Sequence, residues 1–245
     1  MQGLGVAAVR LLGTVILAAG IAAGGWLVGE GLRQPRAGDR YVSVKGLAER
    51  EVRADLALWA MRFVATGNDL AAVKQTIAQN EAAVRAFVAS GDIEAGSVEV
   101  TGLEVTDALA QVYRSGPIES RFVIAETVLV RTGEVDKVAA LAQRAGDLVA
   151  AGVVLSSEGA GPGPVYVFTR LNDHKPQMIA EATRSARAGA SQFAQDSGTV
   201  LGGIRQASQG VFQILPRDET PGVLEPAQLN KRLRVVATID YYLRD

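Results

Sequence analysis

Residues 41–67 read YVSVKGLAEREVRADLALWAMRFVATG. The stretch is expected to form two strands. In the second, Leu56, Leu58, Ala60 and Arg62 alternate with Ala57, Trp59, Met61 and Phe63. Both sets are largely apolar, so this strand is expected to be covered on both faces.

The pattern changes immediately downstream. Asn68 or Asp69 is placed to cap a helix whose Leu70, Val73, Ile77, Val84 and Phe87 recur at helical spacing, and Gly91 is placed to stop it. Residues 97–112 and 118–131 are rich in β-branched residues around the turn-like YRSGP, and predict a strand pair. A second helix is expected from about Glu134, turning Val135, Val138, Leu141, Ala145 and Leu148 to the core and ending at Gly152. Residues 153–156 and 165–171 are strand-like on either side of EGAGPGP. From Asp55 to Leu171 the order is therefore β-α-β-β-α-β, that of a ferredoxin-like split unit. A third helix is expected over about 174–196, ending at Gly198, with Met178, Ala182, Ala186, Ala190 and Phe193 along one stripe. Final strands over 200–215 and 231–243 flank a loop containing Pro216, Pro221 and Pro226. The class is α+β, a ferredoxin-like βαββαβ unit extended by a further helix and antiparallel strands.

Chemistry is harder to find. The 245 residues carry a formal net charge of -1 with both signs interspersed, which argues against nucleic-acid binding. No cysteine is present, so disulfides, thiol nucleophiles and thiolate metal sites are excluded. The single histidine, His174, lies between Asp173 and Lys175. A metal or catalytic role would need convergent partners, and no second histidine exists. The plainer reading is a helix start: Asp173 as N-cap, His174 exposed in the early turn and Pro176 in the first turn, where its missing N–H costs nothing. The segment GAGPGP at 159–164 lacks the Lys-Ser/Thr ending of a phosphate loop, and its prolines remove N–H donors, so a rigid turn is expected. Asn80 is expected at the boundary of a helix stripe, and Glu49 with Glu51 facing solvent. The expectation is no catalytic, cofactor-binding or metal site residues and no cofactor.

The amino-terminal run over 11–29, LLGTVILAAGIAAGGWLVG, is uncharged and meets the roughly 20 residues that a membrane-crossing helix needs. Trp26 near its outer end suits a membrane interface. A cleaved signal peptide with Ala22 and Gly24 at the cleavage site is the rival, and a buried core helix a third reading. Continuation through Trp26, Leu27 and Val28 favours retention. The expected organisation is a signal-anchor or transmembrane segment over 1–32, a linker over 33–40 containing Pro35 and Gly38, and an α+β domain over 41–245. Arg10 precedes the run, while Arg33, Arg36 and Arg40 follow it, so charge counting alone would keep the domain in the cytoplasm. A short tail before an apolar run instead suits an export signal.

Three stretches together resemble the SIMPL-domain family of bacterial envelope proteins, which includes the periplasmic immunogenic proteins. They are VSVKGLAEREVRADLALWAMRFVATG at 42–67, EVDKVAALAQRAGDLVAAGVV at 134–154 and IAEATRSARAGASQFAQDSGTVLGGIRQASQ at 179–209. Where relatives open the second strand near Pro-Asp, this chain has Ala54-Asp55 and lacks the proline. The resemblance implies an exported α+β domain, placed in the periplasm and attached to the inner membrane by the amino-terminal helix. It implies a role in envelope integrity or stress tolerance and self-association into a homo-oligomer, and the lack of any active-site pattern in the residues adds the expectation of no enzyme activity. A periplasmic small-ligand-binding module using a groove between sheet and helices is the alternative, and an unrecognised hydrolase a further one.

Overall fold

The computed structural model describes residues 13, 17–29, 40–110, 117, 119–158, 161 and 163–245. Contacts divide them into two compact units. One comprises the residues up to Leu47 with Ile179–Gly210 and Val236–Asp245; the other comprises Ala48–Met178 and Val211–Val235.

Residues 17–29 are helical (α1) and exposed, with Leu17, Ile21, Trp26, Leu27 and Val28 each 63–73% accessible. Among the described residues no helix is long and apolar enough to cross a membrane. Residues 11, 12 and 14–16 of the apolar run, residues 30–32 at the end of the expected anchor segment and residues 33–39 of the expected linker lie outside the described set.

The predicted strands β1 (Tyr41–Arg53) and β2 (Leu56–Gly67) form as expected. Strand β2 belongs to a five-stranded antiparallel sheet of order β3-β4-β2-β5, in which β6 also pairs with β2. Here β3 is Val98–Asp107, β4 Phe122–Thr132, β5 Leu155–Ser156 and β6 Val165–Val167. This is the strand order of the split βαβ unit, with its fourth strand divided into β5 and β6. Helices α2 (Leu70–Ala89), α3 (Val135–Ala142) and α4 (Gly146–Ala150) bury one side of it. The core holds Trp59, Met61 and Phe63 from β2, Val128 and Val130 from β4, and Val84, Phe87, Val138, Leu141 and Leu148 from the helices. Trp59 meets Phe87 edge-on at 6.2 Å between ring centroids.

The expectation that β2 is covered on both faces is corrected. Ala57, Trp59, Met61, Phe63 and Ala65 are buried, whereas Leu56, Leu58, Ala60, Arg62 and Val64 are half-buried. Helices α2, α3 and α4 pack against the buried set, because both βα crossovers of a split unit return over the same face.

Local signals fare unevenly. Asp69, not Asn68, caps α2, accepting from Ala72 N–H at 2.8 Å; the Asn68 side chain accepts from Arg121 N–H instead. Leu70 is exposed rather than in the core, since the buried stripe begins at Val73. After α2 the left-handed residue is Asp92, with φ 54°, and not Gly91. The hairpin strands are shorter than expected, closing at Asp107 and Phe122 where Arg121 pairs with Asp107 at 2.9 Å. Residues 113–116 of the expected YRSGP turn are outside the described set.

The second predicted helix is two, α3 and α4, separated by i→i+3 bonds from Arg144 N to Leu141 O and from Ala145 N to Ala142 O. Gly146, a poor helix former, opens the second piece. The predicted stop at Gly152 is realised: with φ 88° it lets Gly152 N reach Val149 O and Val153 N reach Leu148 O, a Schellman closure. Gly198 closes α5 (Leu171–Asp196) in the same way.

The remaining strands form a four-stranded sheet of order β1-β9-β7, with β8 also paired to β9. The expected strand over 200–215 is broken into β7 (Val200–Gln209) and β8 (Gln213–Pro216). Strand β9 (Asn230–Arg244) pairs with β7 from Ala237 onward and with β8 along Lys231–Arg234. The break follows from Gly210, whose N–H bonds to Val236 O at 2.9 Å and where a side chain would strike that same oxygen.

On α5, Met178, Ala182, Ala186, Ala190 and Ala194 form the buried stripe, while the expected member Phe193 is 49% exposed. Small residues are required because Gly46 of β1 lies against the helix backbone. A Cβ at Gly46 would sit 1.9 Å from Ala182 O and 2.5 Å from Ala186 N.

Candidate functional site

Helix α5 begins at Leu171, one turn earlier than the sequence suggests. Asp173 is therefore in the first turn and not the N-cap; its own N–H donates to Arg170 O at 3.2 Å. Pro176 falls in the second turn, where its missing N–H leaves Asn172 O without the usual helical donor. His174 is half-buried rather than exposed. Its ring lies 5.6 Å from Phe168, and Nδ1 is 3.3 Å from Arg50 Nη1. Because a guanidinium only donates, Nδ1 is the acceptor in this contact, which places the proton of the neutral ring on Nε2. Arg50 also donates to Gln177 Oε1 at 2.7 Å. Lys175 sits 5.7 Å from the Phe212 ring centre. His174 and Lys175 thus meet separate surroundings.

The residue that fixes this end of α5 is Asp55, which the sequence reading passed over. It leaves the β1–β2 turn and accepts from Thr169 N–H at 2.9 Å, Thr169 Oγ1 at 3.1 Å and Arg170 Nε at 3.0 Å. Burial opposes its charge, but these three donors outweigh it and hold the carboxyl below the ordinary aspartate range. The signal was the Ala54-Asp55 pair at a strand start, noted only as a family-like position.

Glu126 on β4 was also missed. It faces the helices, 6% exposed, and Oε1 has no hydrogen-bond partner among the described residues. Burial, reinforced by Glu81 and partly offset by Arg85, pushes its carboxyl up. Alternation along β4 would have placed it inward once β4 was paired with Phe63 and Leu103, its neighbours across the sheet. Asn80 is buried in the α2 stripe, not at its boundary. Glu49 and Glu51 face solvent, with Glu49 3.6 Å from Arg234. Among the described residues no group of His, Asp and Glu is arranged to hold a metal.

A concavity of about 440 Å³ lies elsewhere. The end of α3 supplies Ala142 and Gln143; the entry to β6 supplies Gly163, Pro164, Val165 and Tyr166. The third wall is a 3₁₀ turn, Glu225–Ala227, with Gly222 and Leu224 before it. Part of the GAGPGP segment thus becomes a cavity wall; its residues 159, 160 and 162 are outside the described set. Tyr166 is 6% exposed, and burial together with the Asp136 charge pushes its hydroxyl pKa up, so it is a neutral phenol at physiological pH. The 3₁₀ turn is braced from beneath by Lys231, which is wholly buried and donates to Glu225 O at 2.9 Å and to the Glu225 carboxylate.

These features define a two-sheet α+β protein built on a split βαβ unit, with a half-open sheet face and an apolar cavity at its loop end. Residues 42–237 match the model of the SIMPL family, described as "Protein of unknown function (DUF541)", and the chain belongs to that family. No curated protein matches the chain.

Proposed function

We propose that this SIMPL-family chain is a non-enzymatic domain of the bacterial envelope, tethered to the inner membrane with its body in the periplasm, that self-associates and supports envelope integrity. The observation that carries self-association is strand β7. It is the outer strand of its sheet, ten residues long, with Arg205 its sole charged residue. Val200 and Ile204 on it are 61% and 54% exposed. An edge of this length is a template for pairing with another chain, and Arg205 with two register irregularities in its pairing to β9 blunts it only in part. The tether is supported by α1, an uncharged helix with its large apolar side chains exposed. The non-enzymatic part rests on the positions of His174, Asp55 and Glu126, each engaged or buried apart from the others.

Light scattering of the full chain in mild detergent tests the reading. Wild type should form a defined assembly, and Ile204→Lys should shift it to a smaller species with the same melting temperature. A wild type that stays monomeric at high concentration ends the self-association reading. Carbonate extraction and a carboxyl-terminal periplasmic reporter check the tether; reporter activity in the cytoplasm refutes export. A second reading, a periplasmic module for a small ligand, has the 440 Å³ cavity in its favour.

A further inference from the structure

The geometry points to a binding site for an uncharged, ring-bearing apolar small molecule in the cavity between the end of α3, the entry to β6 and the 3₁₀ turn; it rests on the small-ligand reading and is independent of self-association. Four observations carry it. The volume, about 440 Å³, falls within the range of small-molecule sites. None of the described lining side chains is charged, so an ionic ligand would lose water there without compensation. Two polar side chains, the exposed Gln143 amide and the neutral Tyr166 phenol, are the lining groups able to orient a single polar substituent.

The fourth observation is the bracing of the turn. Leu224 is 75% exposed, an unusual position for leucine, yet the turn that follows it is not held by its own apolar packing. It is held by the buried Lys231 ammonium, through the backbone carbonyl and the carboxylate of Glu225. A buried charge is a costly way to position a turn, and replacing such a pair with apolar groups is often neutral or stabilising. Bracing through Glu225 leaves Leu224 and Pro226 at the cavity wall, and a bound ring would cover them. With Pro164 on the opposite wall, the site presents rigid apolar surfaces that lose little entropy on binding.

Indole is the probe, titrated into full-length protein labelled at alanine, leucine and valine methyls and followed by NMR. The methyls of Ala142, Val165, Leu224 and Ala227 should shift together and saturate with one dissociation constant. Ala227→Trp, which fills the cavity, and Leu224→Ser, at a position too exposed to affect folding, should each weaken binding by about tenfold or more. Indole-3-acetate, the charged counterpart, should bind at least about tenfold more weakly, since its carboxylate finds no partner. Non-saturating shifts, shifts confined to other methyls such as those of α1, or equal binding by both variants would overturn the site. Equal binding of indole-3-acetate would overturn the ligand class. A short proline-rich peptide moving the same methyls at lower concentration than indole would overturn the small-molecule assignment in favour of a protein partner.

Discussion

Two carboxylates, the half-buried Asp55 and the buried Glu126, give the protein opposite responses to pH. For Asp55 the folded pKa lies below the unfolded value, so its contribution is present above the unfolded pKa and lost as pH falls through the folded one. Asp55→Ala leaves Thr169 N–H and Arg170 without their acceptor and should cost about 1–3 kcal/mol at neutral pH, read by urea denaturation. That deficit should shrink toward pH 3. Glu126 behaves in reverse. Its folded pKa is raised, so its favourable contribution exists below the unfolded value and disappears as pH rises through the folded one. Glu126→Gln removes the buried charge and should stabilise the fold by about 1 kcal/mol at neutral pH and by little near pH 4. A difference between Glu126→Gln and wild type that does not vary with pH would show that the carboxyl is not shifted. His174 belongs to the same scale: the sequence correctly makes it part of a helix start, and Phe168 stands just ahead of that helix, but its contact with Arg50 comes from the distant strand β1, which no local pattern announces.

Among the elements, α5 and β1 depend on one close approach. Gly46→Ala would drive a methyl into Ala182 O and Ala186 N, both backbone atoms that cannot rotate away. The helix must move, and the cost should be about 2–3 kcal/mol, seen as a clear drop in melting temperature. Gly189→Ala on the same helix is the control: nothing lies within 4 Å of its added Cβ, so helix propensity alone should act, with a gain of roughly 0.8 kcal/mol. At α2, Asp69→Ala should cost about 1 kcal/mol through loss of the bond to Ala72 N–H. These caps and stops were legible because each uses a residue type suited to one backbone job: Asp69 to accept, Gly152 and Gly198 to turn left-handed. The break between α3 and α4 was not, since it does not interrupt the hydrophobic period; the separation of β5 from β6 was, because EGAGPGP stands between them.

For the whole molecule, the loop over 216–230 changes meaning between sequence and structure. By length alone it is more than a tight hairpin needs, which makes it a candidate contact with a neighbouring subunit that an Asn-Gly turn could replace without loss of the fold. In the fold, Gln228 bonds twice to the Asp218 backbone, Leu229 O accepts from Ala54 N–H, and Glu225 partners the buried Lys231. Replacing the loop with Asn-Gly should therefore destabilise the protein by about 3–5 kcal/mol, because Lys231 is left charged and alone. Adding Lys231→Met to the shortened chain should recover much of that loss, while Lys231→Met in the full chain should be close to neutral. Denaturation of the four proteins as a double-mutant cycle measures this coupling; strict additivity would remove the brace from the account.

The α+β class, the β-α-β-β-α-β order, most helix limits, much of the inward stripe of each helix and the family are written in the sequence, because periodicity, capping chemistry and the positions of small residues are local properties of the chain. Tertiary structure alone decided which faces are covered and which residues meet. It put Asp55 beside Thr169, Lys231 beneath Glu225, and Gly163 and Pro164 across a cavity from Pro226. The reason is that burial and partnership depend on what another part of the chain brings to the same place. A lysine followed by alternating strand residues gives no sign that its ammonium will be enclosed.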